Sequence, residues 1–203
     1  MSDGAAALTL SEREGRLLAV EPDCERCGGE GTLTVERPVD PIYAHLPRAA
    51  GATQTYQTPC ECAAARTLAR RVTSARLPYL GPAVGFERFA EQQALAAHPE
   101  LAALTAQAVQ TAQAFVETLG AVAPPPERLF PVADFPPGLV IVGGPMAGKT
   151  RLLCAVGLAA ARAGQRVRYL PWEALARLWT APETLNFDPV SFRGLLLVDD
   201  LDP

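Results

Sequence analysis

The chain has 203 residues, of which 49% are hydrophobic and 20% are charged, and this balance is typical of a globular protein with a core. The net charge of −4 excludes a global positive field, so contact with nucleic acid would require a local basic patch. No apolar run approaches the roughly 18–20 residues of a membrane span, and the first residues do not resemble a signal peptide. We therefore predict a cytoplasmic protein with no membrane partner.

Residues 1–20 carry leucines at spacings that predict a short amphipathic helix. Residues 21–77 are predicted to form a cysteine-rich module. Cys24 and Cys27 make a C-x-x-C knuckle that is followed by glycines, and Cys60 and Cys62 make a C-x-C pair. Strand-like residues at 32–35 and 53–58 lie between the pairs, with a proline-rich loop at 38–47. This order predicts a hairpin whose first strand follows one cysteine pair and whose second strand precedes the other.

Four thiolates brought together in this way would match the tetrahedral geometry of structural zinc. Cysteines in a reducing compartment favour metal binding over disulfides. The C-x-C spacing of the second pair weakens the evidence for a zinc site. His45 is the candidate substitute ligand, and a solvated loop histidine is the competing interpretation. Four unligated thiols are the alternative interpretation. A catalytic thiol pair is disfavoured, because no strand–helix redox unit surrounds these cysteines.

Residues 63–77 predict a helix with Arg66, Arg70 and Arg71 on one side. This is the most basic stretch of the chain, and it is the candidate contact for the phosphates of single-stranded DNA. A solvated helix face is the competing interpretation.

Residues 78–137 are predicted to be a helical linker. Phe86 and Phe89 precede the helix and are expected to fill the edge of a core. A long alanine-rich helix is expected at 99–119, with Pro99 in its first turn and Gly120 after its end. Six prolines at 121–137 predict a loop.

The central motif follows. Leu139–Val142 predict a buried strand, and Gly143-x4-Gly148-Lys149-Thr150 matches the phosphate-binding loop that precedes a helix. Glycines let backbone N–H groups converge on a phosphate, Lys149 would reach the β and γ phosphates, and the Thr150 hydroxyl would bind Mg²⁺. The other 17 basic residues are all arginine, so Lys149 is the one lysine of the chain. The competing interpretation is an ordinary glycine-rich turn.

After this loop, residues 151–163 predict a helix that ends at Gly164, with Cys154 on its packed face. A strand is expected at 165–170. A helix is expected at 171–179, and its inner side is predicted to carry four apolar residues, Trp172, Leu175, Leu178 and Trp179. A loop with a helical turn is expected at 180–193.

Gly194 then opens the run Leu195–Val198, which predicts an apolar strand ending in Asp199 and Asp200. This arrangement is typical of a Walker B strand, in which Asp199 would hold the Mg²⁺ shell and Asp200 would polarise the attacking water. The predicted catalytic residues are Lys149 and Asp200. The predicted nucleotide-binding residues are Gly143, Gly144, Pro145, Met146, Ala147, Gly148, Lys149, Thr150 and Asp199.

With these motifs, residues 20–201 resemble the AAA+ ATPases of the bacterial DnaC and DnaI helicase-loader type and their transposition relative IstB. The resemblance rests on the cysteine motif, on the stretch from Leu77-Pro78 to Phe86-x-x-Phe89, on the phosphate loop and on Val198-Asp199-Asp200-Leu201. The cysteine module favours the loaders within the superfamily. Asp202-Pro203 departs from the family pattern, which usually has glycine after the leucine.

The resemblance implies an α/β fold in which residues 138–203 form a P-loop AAA+ parallel-sheet core, preceded by a zinc-ribbon-like module and the helical linker. It also implies a sensor 1 strand, an arginine finger and a helical lid, none of which follows Asp200 here. We therefore expect a C-terminally incomplete core that binds nucleotide weakly and hydrolyses it poorly, since an arginine finger accounts for several orders of magnitude in rate.

The leading hypothesis is an ATP-binding, helicase-loader-like protein of DNA replication that uses Mg²⁺ and Zn²⁺. Its partners by resemblance are a replicative helicase and, through the basic helix, single-stranded DNA; an oligomer is compatible with this hypothesis. The alternatives are a non-catalytic zinc-module adaptor with a vestigial ATPase half and an IstB-like transposition helper ATPase. A recombination ATPase with an N-terminal zinc ribbon is disfavoured, because Cys60 and Cys62 lie too far from the first pair.

Overall fold

The computed structural model describes residues 9–13, 16–38, 53–80, 84–89, 99–121, 138–180 and 192–201. These residues form a mixed α/β structure with three two-stranded sheets. The elements in chain order are β1 (Thr9–Arg13), β2 (Arg16–Val20), β3 (Thr32–Pro38), β4 (Thr53–Pro59), α1 (Ala63–Ala75), α2 (Pro99–Ala121), α3 (Lys149–Arg162), β5 (Val167–Pro171), α4 (Trp172–Thr180) and β6 (Leu195–Asp199).

The chain divides into two compact units. One comprises Met1–Thr9 and Val20–Arg70, and the other comprises Leu10–Ala19 and Arg71–Pro203. The first unit contains the hairpin and all four cysteines of the predicted module, and the second contains the glycine-rich loop and the parallel strands.

The predicted N-terminal helix is wrong, because β1 and β2 pair with each other as a two-stranded sheet. Leu8 and Leu10 alternate with polar residues, and Gly15 lies between the two strands. Alternation around a glycine is the pattern of paired strands, and it overrides the spacing of the leucines.

The hairpin of β3 and β4 confirms the predicted strands of the cysteine module. The two strands are antiparallel, with Thr32 opposite Pro59 and Pro38 opposite Thr53. Half-buried Leu33 and Val35 alternate with exposed neighbours, as expected for a sheet with one covered face. Beyond the strand ends, the Cys60 amide donates to the Gly31 carbonyl over 2.9 Å. The register therefore brings both cysteine pairs to the same end of the hairpin.

Helix α2 begins at Pro99 as predicted and continues through Gly120 to Ala121. It packs against α3, and its residues Val109, Ala112 and Val116 are buried. The Gln165 side chain donates to the Leu119 carbonyl over 3.0 Å near the end of α2.

Helix α3 packs against the strands β5 and β6 in the second unit. The two strands are parallel, with Val167 opposite Leu195 and Pro171 opposite Asp199. Helix α3 covers this pair and carries eight buried residues, Leu152, Cys154, Ala155, Val156, Gly157, Leu158, Ala160 and Ala161. The predicted burial of Cys154 is confirmed, and so is the predicted helix end before Gly164, whose φ is 92°.

The predicted buried strand at Leu139–Val142 is wrong. Residues 138–144 form no strand, and the side chains of Val140 and Val142 are 80% and 88% exposed. A strand needs a neighbour for its backbone N–H and C=O groups. No strand of the described ranges pairs with this segment.

Helix α4 matches its prediction at Leu175, which is buried, but not at Trp172, which is 36% exposed. As the first residue of α4, Trp172 lies at the end of the helix, where the packed face has not yet formed. The side chains of Leu178 and Trp179 lie outside the described residues, and so does His45. Most of each predicted loop, at 38–47, 121–137 and 180–193, lies outside them as well, but Pro38, Ala121 and Thr180 belong to β3, α2 and α4. Among the helices of the described ranges, none has the length and apolar character that a membrane crossing requires.

Candidate functional site

The four cysteines of the first unit converge on one point at the end of the hairpin. Their sulfur atoms all lie within 4.8 Å of one another. The Sγ atoms of Cys24 and Cys60 are 3.7 Å apart, and those of Cys27 and Cys62 are 3.4 Å apart. Each of these close pairs joins one knuckle to the other, so the two knuckles face each other.

The glycines after Cys27 shape the first knuckle. Gly28, Gly29 and Gly31 have φ values of 58°, 85° and 78°, a left-handed conformation that residues with a Cβ rarely adopt. This conformation lets the Gly31 amide donate to Cys27 Sγ over 3.2 Å. That hydrogen bond lowers the pKa of the Cys27 thiol to about 6, whereas burial raises the pKa of Cys62 to about 12. The backbone thus favours the thiolate, the form that binds metal, at Cys27.

This donor set fits a metal ion such as zinc. Four thiolates at about 2.3 Å from a zinc ion form a tetrahedron whose sulfur–sulfur edges are about 3.8 Å. The two closest sulfur pairs are near that length, and the remaining separations do not exceed 4.8 Å. Cys60 is buried and the other three cysteines are half-buried. With four protein ligands no coordination position is left for a substrate, so the site suits a structural ion.

Arg66 and Arg70 contact a single acidic residue in the first unit. The Glu21 carboxylate pairs with the Arg66 guanidinium and accepts two hydrogen bonds from Arg70, of 2.6 and 3.1 Å. Arg66 also donates to the Pro22 carbonyl, its side chain is 14% exposed, and its Cδ lies beside Gly31. Arg66 is therefore part of the cysteine module, and two of the three arginines proposed for DNA already bind a carboxylate.

In the second unit, the glycine-rich loop leads directly into α3. Gly148 caps the helix with a φ of 84°, and Lys149 is the first helical residue. The Lys149 ammonium donates to the carbonyls of Gly143 and Gly144, each over 2.9 Å, so it folds back across the loop. Met146 also has a left-handed φ of 60°, and its side chain is fully exposed. Gly143, Gly144, Pro145 and Ala147 are exposed, whereas Lys149 and Thr150 are half-buried.

Phe89 lies beside the base of this loop. Its ring is buried, and its Cε1 atom is 3.9 Å from the position that a Cβ on Gly148 would occupy. The Arg151 guanidinium carbon lies 5.3 Å from the centre of the same ring, within the range of a cation–π contact. The prediction that Phe89 fills a core edge is confirmed, and that edge borders the loop.

The connection between α3 and β5 fixes the direction of the helix relative to the strands. Only residues 163–166 link the end of α3 to the start of β5. The carboxyl end of α3 therefore lies at the edge where the strands begin. The amino end, with the glycine loop, lies toward the edge where the parallel strands end, and Asp199 is the last residue of β6. In open parallel sheets this carboxyl edge is where ligands bind.

Asp199 is 9% exposed, and its Oδ2 accepts a 3.0 Å hydrogen bond from the Tyr169 hydroxyl. The sequence interpretation missed Tyr169. A signal was present, because a tyrosine in the middle of an apolar strand requires a partner for its hydroxyl. Burial, followed by the Asp199 contact, raises the pKa of Tyr169. The phenol therefore stays protonated and acts as the donor.

Asp200 differs from Asp199 in both exposure and backbone. It follows β6, is exposed and has a left-handed φ of 56°. The predicted apolar strand is thus present as β6, with the buried Asp199 as its last residue and the exposed Asp200 directly after it.

Comparison with known proteins gives no relative: no protein-family model, curated protein or solved structure matches this chain.

Proposed function

We propose that the chain is an ATP-binding protein of the helicase-loader type, with a P-loop AAA+ core and an N-terminal module stabilised by zinc. The observation that carries the proposal is the arrangement at the carboxyl edge of β5 and β6. A helix whose first residue is Lys149 runs against two parallel strands, and the second strand ends in Asp199 and Asp200. A nucleotide phosphate site uses this order of elements.

The roles of the residues follow from their chemistry. The backbone amides of the loop and the amino end of α3 would hold the phosphates, and Lys149 would exchange its bonds to Gly143 and Gly144 for the phosphate oxygens. The Thr150 hydroxyl and the Asp199 carboxylate are the hard oxygen donors that suit Mg²⁺. The ion, when bound, would neutralise charge on the phosphates. Asp200, an exposed carboxylate directly after the end of β6, would polarise water.

The zinc module would present a surface instead of performing chemistry, because four cysteine ligands close the coordination shell. By its resemblance to helicase loaders, its partner would be a replicative helicase. Single-stranded DNA is the second proposed partner, through Arg66, Arg70 and Arg71 of α1.

The test is nucleotide binding by the purified protein with Mg²⁺, measured by titration of a fluorescent ATP analogue. Lys149→Ala should abolish saturable binding. Arg162→Ala is the matched control, because Arg162 is an exposed cation in the last turn of the same helix. Binding that survives Lys149→Ala, or no binding by the wild-type protein, would reject the proposal.

The second candidate function is an adaptor that works through its zinc module alone. The exposure of Val140 and Val142 favours it, because a strand that supports a phosphate loop is normally paired and buried. Under this function, Lys149→Ala would change no property of the protein, whereas loss of a cysteine ligand would abolish partner binding.

A further inference from the structure

Tyr169 and Asp199 form a buried polar pair beneath α3. Both side chains are 9% exposed, and the hydroxyl donates to Asp199 Oδ2 over 3.0 Å. Tyr169 lies opposite Leu197 in the parallel register, and two residues further along both strands Pro171 lies opposite Asp199. Because side chains alternate along a strand, Tyr169, Leu197 and Asp199 share one face of the sheet. Leu197 contacts α3 at Gly157, so that face is the one covered by α3.

A buried carboxylate with one oxygen held in this way has little rotational freedom. A charge-assisted hydrogen bond fixes both the χ angles and the position of the second oxygen. The bond is formed across two strands that are locked in register, so the geometry does not depend on a flexible loop. Oxygen ligands of Mg²⁺ must meet a strict octahedral geometry, so a fixed carboxylate binds better than a mobile one.

We propose that Tyr169 is a positioning residue, which holds the carboxylate of Asp199 for Mg²⁺ bound with a nucleoside triphosphate. The inference rests on the proposed nucleotide function and extends it to a residue outside both nucleotide motifs. Tyr169 donates through its hydroxyl and has no contact with the nucleotide in this role. The competing explanation is that Asp199 does no more than satisfy a buried phenol. The two explanations differ in whether the hydroxyl affects the metal-dependent part of binding.

The experiment compares the affinity of a fluorescent ATP analogue with Mg²⁺ and with EDTA, in the wild-type protein and in Tyr169→Phe. The wild-type protein should gain affinity from Mg²⁺. Tyr169→Phe should reduce that gain by about ten- to hundredfold, the range for loss of an outer-shell hydrogen bond to a metal ligand, and should leave binding in EDTA unchanged. Tyr56→Phe is the control, since that hydroxyl donates to Gln54 in the other unit. The EPR spectrum of Mn²⁺ with the nucleotide gives a second readout, and Tyr169→Phe should alter its line shape.

Asp199→Asn supplies the second variant. It should lose the Mg²⁺-dependent gain by itself, and adding Tyr169→Phe to it should have no further effect, since both changes act through one carboxylate. An equal gain from Mg²⁺ in wild-type protein and Tyr169→Phe would overturn the positioning role while leaving the nucleotide site intact. An additive loss in the double variant would overturn it as well. Absence of Lys149-dependent binding in the wild-type protein would instead reject the nucleotide function itself.

Discussion

Gly157 of α3 lies directly against Leu197 of β6. A methyl group added to Gly157 would stand 2.6 Å from Leu197 Cδ1 and 2.9 Å from Leu77 Cδ2. Both leucines are buried, so their side chains cannot turn into solvent to make room. The absence of a side chain at this one helical position sets how closely α3 approaches the strand that ends in Asp199.

Gly157→Ala should therefore lower the free energy of unfolding. In an open helix the same change would stabilise by about 1 kcal/mol, but overpacking a filled core costs about 1–3 kcal/mol. We expect a net loss of about 1 kcal/mol, measured by urea denaturation. Leu197→Ala should cost less in the Gly157→Ala background than in the wild-type protein, because the cavity accepts the methyl group. Purely additive effects would contradict the close approach.

The sequence predicts the elements well where local pattern decides them and poorly where pairing decides them. The β3–β4 hairpin, α1, α2, α3, β5 and β6 were each expected near their observed positions, because periodicity, Pro99 and Gly164 mark them. Leu139–Val142 has the composition of a strand, but forming one depends on a neighbour that composition does not specify. The spacing of the N-terminal leucines fits both the period of a helix and the period of a strand, and only the pairing of β1 with β2 distinguishes the two.

The candidate sites show the same division. The spacing of the cysteines was sufficient to predict that four sulfurs meet, because a hairpin brings its ends together. The contacts of Glu21 with Arg66 and Arg70, and of Tyr169 with Asp199, join residues that are far apart in the chain. Such contacts follow from packing and register, and no local motif encodes them.

Cys27→Ser should remove the bound metal and unfold the first unit. One ligand is lost, and the folding free energy of a small metal module is largely its binding free energy. We expect about one equivalent of zinc in the wild-type protein and almost none in the variant, measured by elemental mass spectrometry. The NMR signals of the β3–β4 hairpin should be lost in the variant. Cys154→Ala is the control, because that thiol lies in α3 and belongs to the other unit. Equal metal content in wild type and Cys27→Ser would contradict the site.

Cys154 should resist alkylation in the native protein. It is 0% exposed, and burial raises its pKa to about 11, so at pH 8 only about one thiol in a thousand is ionised. Iodoacetamide should add to no cysteine of the zinc-loaded protein and to four cysteines once a chelator removes the metal. Intact-mass spectrometry counts the adducts, and Cys154→Ala should give the same four. A fifth adduct without denaturant would show that α3 opens.

Glu21→Gln should strengthen binding to single-stranded DNA if α1 contacts phosphates. The Glu21 carboxylate pairs with both Arg66 and Arg70, so it competes with a phosphate for the same guanidinium groups. We expect affinity for an oligothymidine to rise several-fold and its dependence on salt to steepen, measured by fluorescence anisotropy. Arg71→Glu should have the opposite effect. If neither substitution changes the affinity or the salt dependence, the basic face of α1 serves the cysteine module and not DNA.

Met146→Gly should stabilise the protein and leave its core unchanged. Met146 holds a left-handed φ of 60°, which costs a residue with a Cβ about 1–2 kcal/mol. Its side chain is fully exposed, so no packing is lost when it is removed. Glycine also increases the conformational entropy of the unfolded chain, which offsets part of this gain in stability. We therefore expect a net gain of about 0.5–1 kcal/mol in the free energy of unfolding, measured by urea denaturation.

Ala147→Gly is the matched control for this gain. Ala147 is the next residue of the same exposed loop, but its φ is not left-handed, so glycine there relieves no strain. The substitution should lower the free energy of unfolding by about 0.5–1 kcal/mol through the unfolded chain alone. Opposite signs at two neighbouring positions would show that Met146 is strained in the native loop. A loss at both positions would mean that the loop relaxes to an ordinary backbone conformation at Met146 in solution.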